Sequence, residues 1–123
     1  MNILIVDDNL DAAESMADLL TPEGHQVMLC EDGWCAVETY QENKIQLVFM
    51  DLKMPGMNSI EATRHILEYD TNARIVVVTG NTVQEDLQNV VDLGIVKVFR
   101  KPYDVRKLLE LVESEKNLRE NSS

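Results

Sequence analysis

The sequence predicts an α/β fold in which a parallel five-stranded sheet carries helices on both faces, a doubly wound (βα)5 three-layer sandwich. Apolar runs at 2–6, 47–50 and 75–78 are short, β-branched and nearly continuous, which is typical of parallel strands buried on both faces. Between the runs, apolar residues recur at helical spacing, as they do in residues 10–20. Strands and helices that alternate in this way form parallel sheets through right-handed crossovers.

Weaker patterns predict the remaining elements. The run 26–30 is expected to form an edge strand, and 95–100 to form the fifth strand. Asp104 is a typical N-cap for the last helix. Gly24 and Gly94 follow the first and fourth helical segments, where glycine is favoured in a left-handed C-cap.

The length and composition predict a single domain in the cytoplasm. A chain of 123 residues can bury a core of its own, and 45% hydrophobic with 27% charged residues is typical of a globular protein. We expect one domain at 1–117 and, at 118–123, a polar tail that is either a frayed helix end or the stub of a linker. The N-terminus lacks the pattern of a signal peptide, and no apolar run approaches the ~20 residues of a membrane span.

The charge and the cysteines exclude several classes of function. A net charge of −11 argues against direct binding of nucleic acid, which requires a basic surface. Cys30 and Cys35 have the spacing of neither a CxxC redox pair nor a zinc site, so we expect both to be reduced and structural. His25 lies in a predicted turn and is expected at the surface.

Polar residues follow four of the five predicted strands. Asp7 and Asp8 follow the first strand, Asp51 the third, Thr79 the fourth and Lys101 the fifth. Because the carboxyl ends of parallel strands meet at one edge of the sheet, where open α/β sheets bind their ligands, these side chains should converge.

The converging side chains predict magnesium-dependent phosphoryl chemistry. Three neighbouring carboxylates repel one another, and Mg2+, which prefers oxygen ligands, relieves that repulsion. A metal-bound aspartate can attack phosphorus and form an acyl phosphate. Lys101 would neutralise charge during the transfer, and the Thr79 hydroxyl would bind a phosphoryl oxygen.

The motifs resemble the receiver domain of two-component response regulators, in the CheY-like superfamily. The resemblance runs from residue 2 to about 113, with the motifs in the order and at the spacing of the family. It implies a flavodoxin-like sheet in the order 2-1-3-4-5, with the site between the first and third strands. The matching segments are Asp7-Asp8, Asp51-Leu52-Lys53-Met54-Pro55-Gly56-Met57, Thr79-Gly80 and Lys101-Pro102-Tyr103.

The resemblance assigns roles to the residues of the site. Asp51 would be the phosphoacceptor, taking the phosphoryl group from a sensor histidine kinase or a histidine phosphotransfer domain. Asp8, Asp51 and the backbone carbonyl of Lys53 would bind Mg2+ directly, and Asp7 would bind it through water. Thr79 and Lys101 would hold the phosphoryl oxygens.

The resemblance also implies an output. It places the output surface on the fourth helix, the fifth strand and the fifth helix, where a partner, an output domain or a second copy of the chain would bind. The Lys101–Pro102 bond is expected to be cis. By this interpretation the chain is not an enzyme, beyond its own phosphoryl transfer and slow autodephosphorylation.

Several residues depart from the family pattern. Val98 stands three residues before the lysine, where the family usually has an aromatic ring that turns inward on activation. Phe99 is adjacent, but strand alternation should direct it to the opposite face. Ser59 stands where the family commonly has glycine, and a positive φ there would be strained. Lys53 and Asn81 stand at positions that in this family flank the phosphoryl group and affect its hydrolysis. The Lys53 side chain would either screen the phosphoryl group from water or extend into solvent.

Two other classes of protein fit the sequence less well. A phosphatase of the haloacid dehalogenase type places its nucleophile after the first strand, with an acid two residues later, whereas Lys53 lies two residues after Asp51. A flavodoxin-like nucleotide binder needs a phosphate loop, and the acidic segment 7–11 would repel phosphate. The pattern leaves open whether the chain is a complete regulator or one domain of a larger regulator or hybrid kinase.

Overall fold

A computed structural model describes the backbone of residues 1–52, 59–80 and 84–121, and the side chains of 1–52, 59–80 and 88–119. The strands are β1 (Asn2–Val6), β2 (Gln26–Cys30), β3 (Leu47–Met50), β4 (Ile75–Thr79) and β5 (Lys97–Arg100). The helices are α1 (Leu10–Leu20), α2 (Gly33–Glu42), α3 (Ser59–Tyr69), α4 (Gln84–Val91) and α5 (Val105–Asn121), and a 3-10 turn (Thr21–Glu23) follows α1.

The predicted architecture is confirmed. The five strands form one parallel sheet in the order β2-β1-β3-β4-β5, so β2 and β5 are the edges. Ile3 and Ile5 of β1 pack into a core with α1 and α5, while Leu4 and Val6 pack into a second core with α2 and α3. Helices therefore cover both faces, and the carboxyl ends of the strands are free to form a site.

The predicted helix ends are also confirmed where the structure describes them. The Asp104 carboxylate accepts the amide N–H groups of Arg106 and Lys107 at the start of α5. Gly24 and Gly94 have φ angles of 90° and 94°, the left-handed conformation that glycine adopts without strain.

Three local predictions change. β5 begins at Lys97, two residues later than the apolar pattern indicates. α5 continues to Asn121, so residues 118–121 of the expected tail belong to the helix. Ser59 is the first residue of α3, and no non-glycine residue in the described part of the chain has a positive φ. The expected strain at Ser59 is therefore absent.

The prediction of two reduced cysteines is wrong. Cys30 ends β2 and Cys35 lies in the first turn of α2, and the structure joins them in a disulfide with Cα atoms 5.6 Å apart. The spacing alone does not reveal this pair, because it depends on how the chain turns from strand to helix.

The prediction that His25 lies at the surface is also wrong. The residue is buried, and its Nδ1 lies 3.0 Å from the N-terminal ammonium of Met1. Across the described helices, none has the length and apolar composition needed to cross a membrane.

Candidate functional site

Four strand ends converge on one edge of the sheet, as predicted. Asp7 follows β1 and Asp51 follows β3, and the Asp51 amide donates to the Val6 carbonyl at 2.9 Å. On the other side, the Lys101 amide donates to the Thr79 carbonyl at 2.9 Å. Backbone hydrogen bonds between neighbouring strands thus hold each functional residue at its place on the edge.

Three carboxylates form what we call the acidic cluster, Asp7, Asp8 and Asp51. Oxygen atoms from all three lie within 4.8 Å of one another. Asp7 and Asp51 are buried, at 6% and 8% exposure, whereas Asp8 is exposed. Two buried carboxylates and a third nearby require positive charge to compensate them.

Lys101 supplies part of that charge. Its Nζ donates to Asp7 Oδ2 at 2.8 Å and to Asp51 Oδ2 at 3.2 Å. Burial by itself lowers the pKa of Lys101, but the hydrogen bond to Asp7 and the charge of Asp51 outweigh burial and raise the pKa above its usual value. The ammonium is therefore held protonated between two carboxylates.

Negative charge is concentrated in the acidic cluster. Among the residues that the structure describes here, three carboxylates share the ammonium of Lys101. Carboxylate oxygens are the ligands that Mg2+ prefers, and Mg2+ needs only one or two of them because it keeps several waters. The donor set that the cluster offers, exposed on one side through Asp8, fits a hard divalent cation.

Ser59 anchors the phosphoacceptor candidate in a way that sequence reasoning missed. The buried Ser59 hydroxyl donates to the backbone carbonyl of Asp51. This bond ties the first turn of α3 to the end of β3. The signal in the sequence is the serine itself, whose hydroxyl can donate a hydrogen bond where the glycine of the family pattern cannot.

A mostly apolar cavity of about 260 Å3 lies beside the acidic cluster. Its lining includes Asp7, Asp51 and Lys101, together with Met16 of α1 and Tyr103. Burial raises the pKa of Tyr103, so its phenol is neutral at neutral pH. The cavity therefore places apolar surface next to the ammonium and the two buried carboxylates.

The structure describes some of the remaining predicted residues, and two lie outside the part of the chain that it describes. Thr79 is completely buried at the end of β4, and the Lys101–Pro102 bond is cis, as expected. Phe99 packs into the core with α1 and α5, and Val98, its neighbour along β5, is half-buried. Lys53 and Asn81 lie outside the described residues.

Comparison with known proteins gives a consistent result. The family model described as response regulator receiver domain matches residues 3–113. The chemotaxis protein CheY of Treponema pallidum is 35% identical over 115 residues, which cover 91% of this chain and 80% of that protein. Sporulation initiation phosphotransferase F of Bacillus subtilis is 29% identical over 119 residues, covering 97% of this chain and 96% of that protein.

A solved structure is similar to this chain in both fold and sequence. In the CheX–CheY–BeF3–Mg2+ complex from Borrelia burgdorferi, the matched chain superposes with a TM-score of 0.85 at 30% identity. The match covers 93% of this chain and 87% of that one. No comparison supports the phosphatase alternative.

Proposed function

We propose that this chain, which belongs to the family of response regulator receiver domains, accepts a phosphoryl group on Asp51. Receiver domains are phosphorylation-activated signalling domains of two-component systems, and this chain is one of them. One observation supports this site: the buried Asp51 carboxylate lies within 4.8 Å of two further carboxylates and 3.2 Å from an ammonium. Asp7 shares that environment, and the family motif that begins at Asp51 is the reason for choosing Asp51.

The acidic cluster would hold Mg2+ through Asp8 and Asp51 and, through water, Asp7. The backbone carbonyl of Lys53 would complete the protein ligands. When bound, Mg2+ supplies positive charge that offsets the carboxylates and the incoming phosphoryl oxygens. No side chain must transfer a proton for this chemistry, so positioning and charge are what the protein contributes.

The Asp51 carboxylate oxygen attacks phosphorus in line with the donor. The bond between phosphorus and the donor nitrogen of a phosphohistidine breaks as the bond to Asp51 forms, and the electron pair leaves with the imidazole. Lys101 already contacts Asp51, so it needs only a small movement to bind a phosphoryl oxygen. Thr79, at the adjacent strand end, would bind another.

The switch begins when the new dianion competes for Lys101 and Thr79. Lys101 now pairs with Asp7 and Asp51, and its amide is bonded to the Thr79 carbonyl, so the two residues are mechanically linked. Movement there biases a two-state equilibrium in the segments after β4 and β5. Couplings of this kind are typically ~1–3 kcal/mol in partner affinity.

The donor, the output surface and the readout are further parts of this proposal. A sensor histidine kinase or a histidine phosphotransfer domain donates the phosphoryl group, in the cytoplasm, and the surface of α4, β5 and α5 binds the output partner, an output domain or a second copy. Val98 leaves the readout to Thr79 rather than to an aromatic ring, while Lys53 and Asn81 set the rate of hydrolysis. The receiver domain spans 1–117, with a short tail at 118–123, and its only chemistry is self-catalysed transfer and slow loss of phosphate.

The test is the intact mass of the chain after incubation with acetyl phosphate, with and without Mg2+. We expect one added phosphoryl group that requires Mg2+ and is lost in Asp51→Asn. Asp18→Asn is the matched control, because Asp18 is an exposed aspartate of α1 outside the acidic cluster. An adduct that persists in Asp51→Asn, or none in the wild type, would overturn the assignment.

A further inference from the structure

We propose that Cys30 and Cys35 form a reversible thiol–disulfide site that adjusts the affinity of the acidic cluster for Mg2+. The two sulfurs are bonded in the structure, and the site lies at the same edge of the sheet as Asp7. The inference rests on the proposed function, in that it takes the acidic cluster to be the magnesium site.

The geometry suits both oxidation states. The Cα atoms of Cys30 and Cys35 are 5.6 Å apart, within the range that disulfides span, so this backbone accommodates the bond. The Thr39 hydroxyl lies 3.3 Å from the sulfur of Cys30 and 3.8 Å from that of Cys35. It is therefore placed to donate a hydrogen bond to either sulfur when the disulfide opens.

The fold does not depend on the bond. The two cysteines are separated by only five positions, and short loops gain the least from closure in the chain-entropy account of disulfides. A domain of this size buries two apolar cores without a covalent link. Both redox states should therefore be folded, which a switch requires.

A low-molecular-weight thiol can reduce the disulfide by thiol–disulfide exchange, without any other reactant. The incoming thiolate attacks the sulfur of Cys35, which is partly exposed, whereas Cys30 is only 3% exposed. The S–S bond breaks, and the Cys30 thiolate leaves and takes up a proton. A second thiolate then attacks the mixed disulfide, frees Cys35 and yields the oxidised low-molecular-weight disulfide, which drives the same steps in reverse.

One hydrogen bond links this site to the acidic cluster. The Cys30 carbonyl accepts the amide N–H of Asp7 at 3.0 Å, and the Asp7 carboxylate in turn accepts from Lys101. β2 is an edge strand, held by β1 on one side only, so the disulfide to α2 is an additional restraint on its end. Reduction removes that restraint and leaves Asp7 less well positioned.

The experiment measures thiols and metal binding on the same samples. The chain is equilibrated in buffers of reduced or oxidised glutathione, thiols are alkylated and counted by intact mass, and the Kd for Mg2+ is measured by titration calorimetry. We expect two alkylated thiols after reduction and none after oxidation. We also expect binding about fivefold weaker in the reduced form, at the lower end of typical couplings between sites.

A matched variant and a fold control complete the test. Cys35→Ala cannot close the disulfide, so its Kd should equal that of the reduced wild type in both buffers. Circular dichroism should show the same secondary structure in every sample. Two thiols that remain free at every glutathione ratio would overturn the site.

The metal titration separates this inference from the proposed function. Equal Mg2+ affinity in the two redox states would overturn the coupling and leave the magnesium site intact. Absence of Mg2+ binding in both states, with the disulfide still forming, would contradict the proposed function and the coupling together.

Discussion

Two ion-pair sites in this molecule use the same kinds of charge in different proportions. The Arg74 guanidinium donates two hydrogen bonds to the Glu115 carboxylate, at 2.7 and 2.9 Å, one positive charge for one negative. Lys101 divides its ammonium between Asp7 and Asp51, within a cluster of three carboxylates. Counted over the described residues, the first site pairs one cation with one carboxylate, and the second brings three carboxylates to one cation.

The two cations also differ in how they bind carboxylates. A guanidinium matches a carboxylate in a fixed bidentate geometry, and the hydrogen bonds to Glu115 raise the pKa of Arg74 despite its partial burial. An ammonium is a point charge with rotatable donors, able to exchange one carboxylate oxygen for a phosphoryl oxygen. A bidentate pair of one cation and one carboxylate thus fixes α5 to the residue before β4, whereas a cluster of three carboxylates around one ammonium leaves the strand edge able to bind a cation.

The largest effect is expected from breaking the balanced pair. Arg74→Met leaves the Glu115 carboxylate, only 4% exposed, without its cation, and should lower the free energy of unfolding by about 2 kcal/mol. The value is below that of a fully buried pair because Arg74 is 40% exposed and solvent screens it. Urea unfolding measures the change, and phosphorylation by acetyl phosphate should be unaffected.

Two further variants decide whether charge balance is the cause. Arg64→Met removes an exposed arginine from α3 and should change stability little. The double variant Arg74→Met with Glu115→Leu should recover most of the lost stability, because an apolar pair leaves no buried charge without a partner. A double variant no more stable than Arg74→Met alone would contradict this explanation.

A substitution in the acidic cluster is expected to raise the stability of the protein, by a smaller amount. Asp8→Asn removes one of the repelling charges, so without Mg2+ the variant should be more stable than the wild type, by less than about 1 kcal/mol. Saturating Mg2+ should reverse the order, because only the wild type binds it well and binding stabilises the folded state. Thermal unfolding with and without Mg2+ measures both differences, with Asp18→Asn as the control.

The smallest effect concerns a third site, around the buried imidazole of His25. Burial and the nearby Met1 ammonium and Lys116 lower the pKa of His25, and together they outweigh the carboxylates of Glu113 and Glu23, which raise it. Since the unfolded chain takes up the proton first, the contribution of His25 to stability is complete above its unfolded pKa of 6.5 and is lost as the pH falls below that value.

This site is tested by comparing unfolding at pH 7.5 and pH 5.5. The wild type should lose more stability between these conditions than His25→Gln, by less than about 1 kcal/mol. His65→Gln changes an exposed histidine of α3 and should behave like the wild type. A wild type and His25→Gln with the same pH dependence would show that His25 titrates normally.

Much of the fold and of the candidate site could be predicted from the sequence. Continuous apolar runs at 2–6 and 47–50 predict strands. The residues that follow these strands, such as Asp7 and Asp51, must lie close together if the sheet is parallel. The roles assigned to Lys53 and Asn81 stay predictions, because both residues lie outside the part of the chain that the structure describes.

Other features depended on contacts between distant residues. Glu115 meets Arg74 across 41 positions, so no local pattern could indicate that pair. The serine at 59 is visible in the sequence, but only the docking of α3 brings its hydroxyl to the Asp51 carbonyl. The burial of His25 depends on the same kind of long-range packing. Each is a matter of which surfaces meet after the helices dock on the sheet.

The sequence by itself determined the order of the elements, the parallel sheet and the identity of the side chains at its carboxyl edge. The reason is that periodicity and strand ends are local properties of the chain. Only the tertiary structure decided that Cys30 closes on Cys35, that Lys101 lies between two carboxylates, and that Arg74 holds α5. Those outcomes depend on distances of a few ångströms between separate elements, which packing sets and sequence spacing does not.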